Sequence, residues 1–399
     1  MNPRLKLLQP YPFERLRQLL AGIQPNPSYP PINLSIGEPR HPTPRCVTDA
    51  LCGHLDGLSS YPATAGTIGL REAIAGWLRL RYGLARIDPV TQVLPVNGSR
   101  EALFAFVQTV IDPTPGALVL CPNPFYQIYE GAALLAGAEP WFINQTAEQH
   151  FKPDWSQVPD AIWRRCQILF VCSPGNPTGA VIDLSDWQQL FELSDRFGFV
   201  IASDECYSEI FFDEAQPPLG ALEAAAQLGR EDYRRLIVFS SLSKRSNAPG
   251  LRSGFVAGDA ELIRPFLLYR TYHGGAMSPT VQAASIAAWS DESHVVANRA
   301  LYREKFAAVV PRLARSLSAE MPDAAFYVWL PVPGGDDQAF CRRLLTQYNV
   351  MVLPGSFLAR QHQGINPGAG HVRLALVDQL DPCVEAADRI AACAAAMQA

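Results

Sequence analysis

The chain of 399 residues reads as an α/β protein, with a mostly parallel sheet in a large domain and a smaller α+β domain after it. Three observations predict this. Short apolar runs alternate with longer helical patterns through the middle of the chain. These runs are apolar at successive positions, as expected of strands covered by helices on both faces. Beyond about residue 290 a long helical pattern leads into a segment of different rhythm. Hydrophobic residues make up 48% and charged residues 18%. At roughly 150 residues per domain the length allows two or three domains, each able to bury a core.

The first 60 residues are rich in proline and read as an arm and connecting segment rather than a packed layer. From Leu70 to Tyr82 apolar residues recur at helical spacing, with Gly83 as a stop. Strands are then expected at Val93–Val96, Ala117–Cys121, Ile168–Cys172, Phe199–Ser203 and Leu236–Phe239, with helices at Glu101–Ile111, Tyr126–Leu135 and Asp186–Phe197. A helical pattern from Glu292 to Ser316 leads into strands at Ala325–Leu330, Val350–Leu353 and His371–Leu376, and helices at Asp337–Tyr348 and Cys383–Met397. The expected division is an arm at 1–48, a large domain at 49–290 and a small domain at 291–399.

Composition excludes several functions. The net charge of −5 and the lack of a basic segment argue against nucleic-acid binding. The longest apolar runs, such as Cys166 to Cys172, fall far below the ~18 residues that span a bilayer. No apolar stretch of signal-peptide length opens the chain, so a cytoplasmic protein is expected. The nine cysteines, among them Cys121, Cys172 and Cys206, contain no C-x-x-C pair, and most of them read as free buried thiols, with no metal site. No G-x-G-x-x-G opens a helix after a predicted strand, which removes a dinucleotide-dependent oxidoreductase.

Ligands of such sheets bind beyond the carboxyl ends of the strands, and five of those positions carry suggestive chemistry. Asn176 lies in Ser173-Pro174-Gly175-Asn176-Pro177-Thr178-Gly179, which also reads as a structural turn. Asp204 ends an apolar strand, where burial is costly without a cation or donor, although a cap or turn acid fits equally. Lys244 follows Ser240-Ser241-Leu242-Ser243, and Arg252 comes eight positions later. Gly98, Ser99 and Arg100 precede a helix whose first amides suit a phosphate, with an ordinary Ser99 cap as the alternative. Tyr126 follows Asn123-Pro124-Phe125 and reads as core or as a stacking platform.

One ligand needs all of these together. Pyridoxal phosphate requires a lysine, an acid at its ring nitrogen, donors to its ring oxygen, a phosphate cradle and a stacking ring. The order and spacing, with Asn176 to Asp204 at 28 residues, Asp204 to Tyr207 at 3 and Lys244 to Arg252 at 8, resemble the class I/II aminotransferases of fold type I over nearly the whole chain.

That resemblance implies a role for each residue. Lys244 would carry the cofactor as a Schiff base and, when free, shuttle the substrate proton. Asp204 would pair with the ring nitrogen, Asn176 and Tyr207 would donate to the ring oxygen, and Tyr126 would stack on the ring. Gly98, Ser99 and Arg100 would seat the phosphate, with Ser241 and Arg252 completing the cradle. Arg373, in His371-Val372-Arg373-Leu374-Ala375-Leu376, would grip the substrate α-carboxylate and Gly37 would close over the substrate. Tyr61 would reach the phosphate of a neighbouring subunit, implying a homodimer with shared active sites.

Two runs, Leu8-Gln9-Pro10-Tyr11-Pro12-Phe13-Glu14-Arg15-Leu16 and Ser243 to Phe255, look like the proteobacterial N-succinyldiaminopimelate aminotransferases of lysine synthesis. The implied reaction exchanges an amino group between glutamate and a succinylated keto acid, with 2-oxoglutarate as the keto partner. Arg40 and Arg245 depart from the usual family pattern, and they are expected either near the pocket, as partners for extra substrate carboxylates, or paired with a local acid such as Glu38. The alternatives are an aspartate or other amino-acid aminotransferase, or a β-lyase on the same scaffold, which would release pyruvate and ammonia without an acceptor.

Overall fold

The computed structural model describes residues 1–398. After a short strand at Ile32–Asn33 (β1), the chain builds one seven-stranded sheet. Its strands are Val93–Val96 (β2), Leu118–Asn123 (β3), Glu139–Asn144 (β4), Cys166–Cys172 (β5), Val200–Asp204 (β6), Leu236–Ser241 (β7) and Gly254–Gly258 (β8). The spatial order is β2-β8-β7-β6-β5-β3-β4, and β8 alone runs antiparallel to its neighbours.

The apolar runs bury on both faces because side chains alternate across a strand. In β7, Leu236 and Val238 join one core cluster while Ile237 and Phe239 join the other. Helices Ile68–Tyr82 and Leu184–Phe197 cover the first face, and Ser99–Val110 covers the second. The sequence expectation omitted β4 and β8. The first begins at Glu139-Pro140 and is buried only in its second half, as suits a sheet edge. The second is five residues bounded by glycines, and its place between β2 and β7 comes from non-local pairing.

A three-stranded antiparallel sheet lies beyond helix Ser293–Leu313. It comprises Tyr327–Pro331 (β9), Leu353–Pro354 (β11) and His371–Ala375 (β12), while Val350–Met351 (β10) pairs in parallel with β1. The proline-rich beginning is more ordered than expected. Helices form at Pro12–Leu19 and Arg45–Gly53, since proline at or just before the first helical position lacks only an N–H that has no intrahelical partner. Leu16 is buried with Trp329, Leu353 and Phe357, so this part of the arm is a packed layer.

Candidate active site

The carboxyl ends of the parallel strands open onto one pocket of about 630 Å3. β6 ends in Asp204, and β7 ends in Ser241 and runs into a one-turn helix, Leu242–Arg245, that bears Lys244. Asn176 follows β5, Tyr126 follows β3, and Ser99 opens helix Ser99–Val110 after β2. Arg373 enters from β12 of the small sheet. Every residue singled out from the sequence lines this pocket except Gly98, Tyr61, Arg40 and Arg245.

Lys244 Nζ donates to the carbonyl of Gly37 at 2.7 Å. Burial, set against the charges of its neighbours, lowers its pKa to about 8, so a neutral amine is accessible near physiological pH. Asp204 is buried, which raises its pKa. Its Oδ2 accepts from the Tyr129 hydroxyl at 2.7 Å and its Oδ1 from the Cys206 amide at 3.4 Å, both uncharged donors. A protonated ring nitrogen would supply the charged donor that such a carboxylate needs.

The phosphate end of the pocket is equally specific. Gly98 precedes helix Ser99–Val110 with φ +84°, and a Cβ there would lie 2.5 Å from Arg252 Nη2. Only glycine lets the guanidinium lie against the helix start. Ser241 and Ser243 add hydroxyls to the lining, with the Ser243 amide donating to Ser241 Oγ at 3.0 Å. Arg100 Nε donates to the Tyr126 hydroxyl at 2.5 Å, tying that ring to the same helix. Helix amides, hydroxyls and a guanidinium form an anion seat that fits a phosphate monoester.

On the opposite side, Arg373 Nη1 donates to Asn176 Oδ1 at 2.9 Å and Nη2 donates to the Ser35 carbonyl at 2.9 Å. The guanidinium is buried over the Tyr327 ring, and its Nε has no partner among the described residues. The Tyr207 and Tyr327 hydroxyls meet at 2.8 Å, and burial raises the Tyr207 pKa well above that of a free phenol. A Cβ on Gly37 would lie 2.1 Å from the Tyr327 hydroxyl, so glycine is required there for space.

Sequence reasoning missed Tyr129 and Tyr327. Tyr129 comes three residues after Tyr126, one turn along the helix expected at Tyr126–Leu135, and that spacing was the available signal. Tyr327 lies in an apolar strand and offered none. The expectation that Arg40 or Arg245 borders the pocket is corrected. Arg40 pairs with Asp378, not with Glu38. Arg245 points into the core, where it pairs with Glu292, donates to the Ala288 carbonyl at 2.7 Å and lies over Trp289. In a one-turn helix adjacent side chains diverge by about 100°. Lys244 and Arg245 therefore face different surroundings.

Tyr61 is fully exposed on this chain. All nine cysteines are free; Cys121 is buried, whereas Cys172 and Cys206 are only partly buried and Cys52 is exposed, so burial holds for some of them only. The fold also gathers Cys46, Asp291 and His294 at a spacing a metal ion could bridge, which no sequence motif indicated. His294 Nδ1 lies 2.6 Å from Asp291 Oδ2 and its Nε2 lies 2.8 Å from Ser246 Oγ, so both ring nitrogens already serve a hydrogen-bonded chain beside Arg245. Among the described residues no helix is long and apolar enough to cross a membrane.

Comparison with known proteins agrees with this geometry. A crystal structure described as an aminotransferase from Neisseria meningitidis superposes with a TM-score of 0.96 at 55% identity, covering 99% of this chain and 100% of that one. A probable N-succinyldiaminopimelate aminotransferase from Thermus thermophilus superposes with a TM-score of 0.83 at 27% identity, covering 96% of this chain and 100% of that one. The LL-diaminopimelate aminotransferase of Syntrophobacter fumaroxidans is 32% identical over 394 residues, 97% of each chain. Residues 29–382 match the family of class I and II aminotransferases. The chain therefore belongs to the class I and II aminotransferases of fold type I, and pyridoxal 5'-phosphate is its cofactor.

Proposed function

We propose that this enzyme transfers an amino group between glutamate and the keto carbon of N-succinyl-2-amino-6-oxopimelate, a step of lysine synthesis by the diaminopimelate route. The observation that carries the transamination reading is the convergence of Lys244, Asp204 and Arg373 on one pocket. When bound, pyridoxal 5'-phosphate supplies an electron sink for the charge left on the substrate α-carbon. Lys244 Nζ would take the proton from that carbon and pass it to the cofactor, a role suited to an amine whose pKa is lowered to about 8. Asp204 would hold a proton on the ring nitrogen, and Asn176 and Tyr207 would donate to the ring oxygen. Tyr126 would cover the ring face, and Gly98, Ser99, Arg100, Ser241 and Arg252 would hold the phosphate. Arg373 takes the α-carboxylate in a two-pronged contact, and Gly37 leaves room for the substrate.

The succinyl reading is supported by the two sequence runs and by the Thermus neighbour. Beyond these groups the pocket is lined by Tyr11, Phe13, Ile36 and Leu358, which suit an acylated, uncharged nitrogen. Glu38 in the same lining favours a second reading, in which a free distal ammonium is bound, as in the LL-diaminopimelate that names the curated relatives. The proposal includes the division at 49 and 290, a cytoplasmic location, and a homodimer in which the exposed Tyr61 reaches a partner's phosphate. Initial rates with the succinylated acid, LL-diaminopimelate and aspartate, each in the amino-donor direction with 2-oxoglutarate, decide the substrate. The succinylated acid is expected to give the largest kcat/KM; a larger value for aspartate would end the pathway reading.

A further inference from the structure

Behind the pocket, a buried polar chain joins Lys244 to parts of the molecule far away in sequence. Asn298, buried in helix Ser293–Leu313, is its hub. Its Oδ1 accepts from Asn247 Nδ2 at 3.0 Å and lies 2.8 Å from His41 Nδ1. Its Nδ2 donates to the main-chain carbonyl of Lys244 at 3.4 Å. On the other side of the imidazole, Lys305 Nζ lies 2.6 Å from His41 Nε2 and donates to the Leu376 carbonyl at 3.3 Å.

The direction of every bond follows from one donor. Below about pH 8, to which burial lowers the pKa of Lys305, its ammonium offers only N–H, so His41 Nε2 accepts from it and the ring proton sits on Nδ1. Nδ1–H then donates to Asn298, which fixes the amide with its oxygen toward His41 and Asn247. The amide N–H is left to face Lys244. Asn247 occupies the left-handed region at φ +46°, two residues beyond the lysine's helical turn, and Thr43 Oγ1 donates to its carbonyl at 2.8 Å. The segment from Gly37 to Thr43 therefore holds Lys244 from two sides: Gly37 accepts from Nζ, while His41, through Asn298, and Thr43 fix the turn that bears it.

We propose that Asn298 is a positioning residue for Lys244, held in its working orientation by His41 and Lys305. It touches neither substrate nor cofactor; it acts through the backbone that aims the amine, and small misplacements of a reacting group are costly in rate. The inference rests on Lys244 being the cofactor-bearing lysine. That assignment is tested separately by the visible absorbance of K244A.

The experiment uses the cofactor-loaded enzyme and three variants: N298A, which removes the hub; H41F, which keeps an aromatic ring against Tyr302 but loses the donor; and H41Q, which restores one. N298A is expected to lower kcat about tenfold with KM within about twofold, as for a misaimed group. It should also shift the midpoint of the absorbance pH titration by about half a pH unit, because the environment of the Lys244 nitrogen changes. H41F should move both in the same direction, and H41Q should return them toward the parent values. If N298A or H41F lowers only the melting temperature, with kcat and the midpoint unchanged, the role is structural and the proposal is wrong. If N298A fails to fold, the H41F and H41Q pair decides alone: equal impairment of the two refutes the proposal.

Discussion

Asp204 and Arg373 face one pocket from sheets of different construction. Asp204 ends a central parallel strand, and Ser241, Lys244 and Asn176 likewise lie within a few residues of strand ends in the same sheet. Arg373 sits inside an antiparallel strand, and its neighbours Gly37 and Tyr327 come from parts of the chain nearly 300 residues apart. The large sheet places its groups by topology, because every parallel strand delivers the residue after it to the same edge. The small sheet and residues 33–41 place theirs by contacts between side chains. In the first arrangement the chain brings each group to the site as its strand ends, whereas in the second the groups meet only through contacts between distant segments, as Gly37 meets Tyr327.

Substitutions can break that comparison, beginning with the largest expected effect. Lys244→Ala, on the large-sheet side, should abolish transamination, a loss of at least about 10^3-fold for a proton-transfer group that also carries the cofactor. Loss of the visible absorbance of the bound cofactor checks it, and a variant retaining both colour and turnover would refute the assignment. Gly37→Ala tests the fitted side. Its Cβ would collide with the Tyr327 hydroxyl, and kcat/KM should fall about tenfold, the cost of a displaced substrate-positioning segment. Removing that hydroxyl in G37A/Y327F should recover part of the loss. A double variant no better than the single one would show that the hydroxyl is not what costs the activity, leaving the ring carbons that the Cβ would meet at 2.8 and 2.9 Å.

The smallest effect concerns stability near the sheet edge. Glu205 is buried beside Asp204, with Ser203, Tyr82 and the Ala221 amide donating to it, and burial raises its pKa to about 7. The folded chain thus keeps a proton that the unfolded chain releases near 4.5. Stability from this group is therefore present at low pH and declines as pH rises from about 4.5 to about 7, by up to about 3 kcal/mol. Glu205→Gln, which stays neutral, should flatten the fall in melting temperature between pH 5 and pH 7.5. An unchanged slope would mean that Glu205 titrates near its ordinary value.

The large sheet was readable because its strands are apolar at consecutive positions and its functional residues are local to strand ends. The glycine-bounded β8 and the edge strand β4 were not, since pairing rather than pattern makes them strands. The arm helices were hidden by prolines that start helices as readily as they end them. Arg245 shows the limit most clearly. Beside Lys244 in sequence, it reads as a pocket charge, yet it lies buried over Trp289 with Glu292 as its counter-charge.

The sequence by itself supplied the set of chemical groups: a lysine, an acid, an amide, a helix start with hydroxyls and an arginine, and a second arginine near the end of the chain, in an order that resembles one family. Spacing along the chain carried the resemblance that implies these roles, because parallel topology converts sequence position into position along one edge. Tertiary structure alone decided which charges face the pocket, that Tyr129 supports Asp204, that Tyr327 demands glycine at 37, and that Asn298 holds the turn bearing Lys244. These are contacts between residues distant in sequence, and their distances and directions are fixed only when the two sheets and the arm pack together.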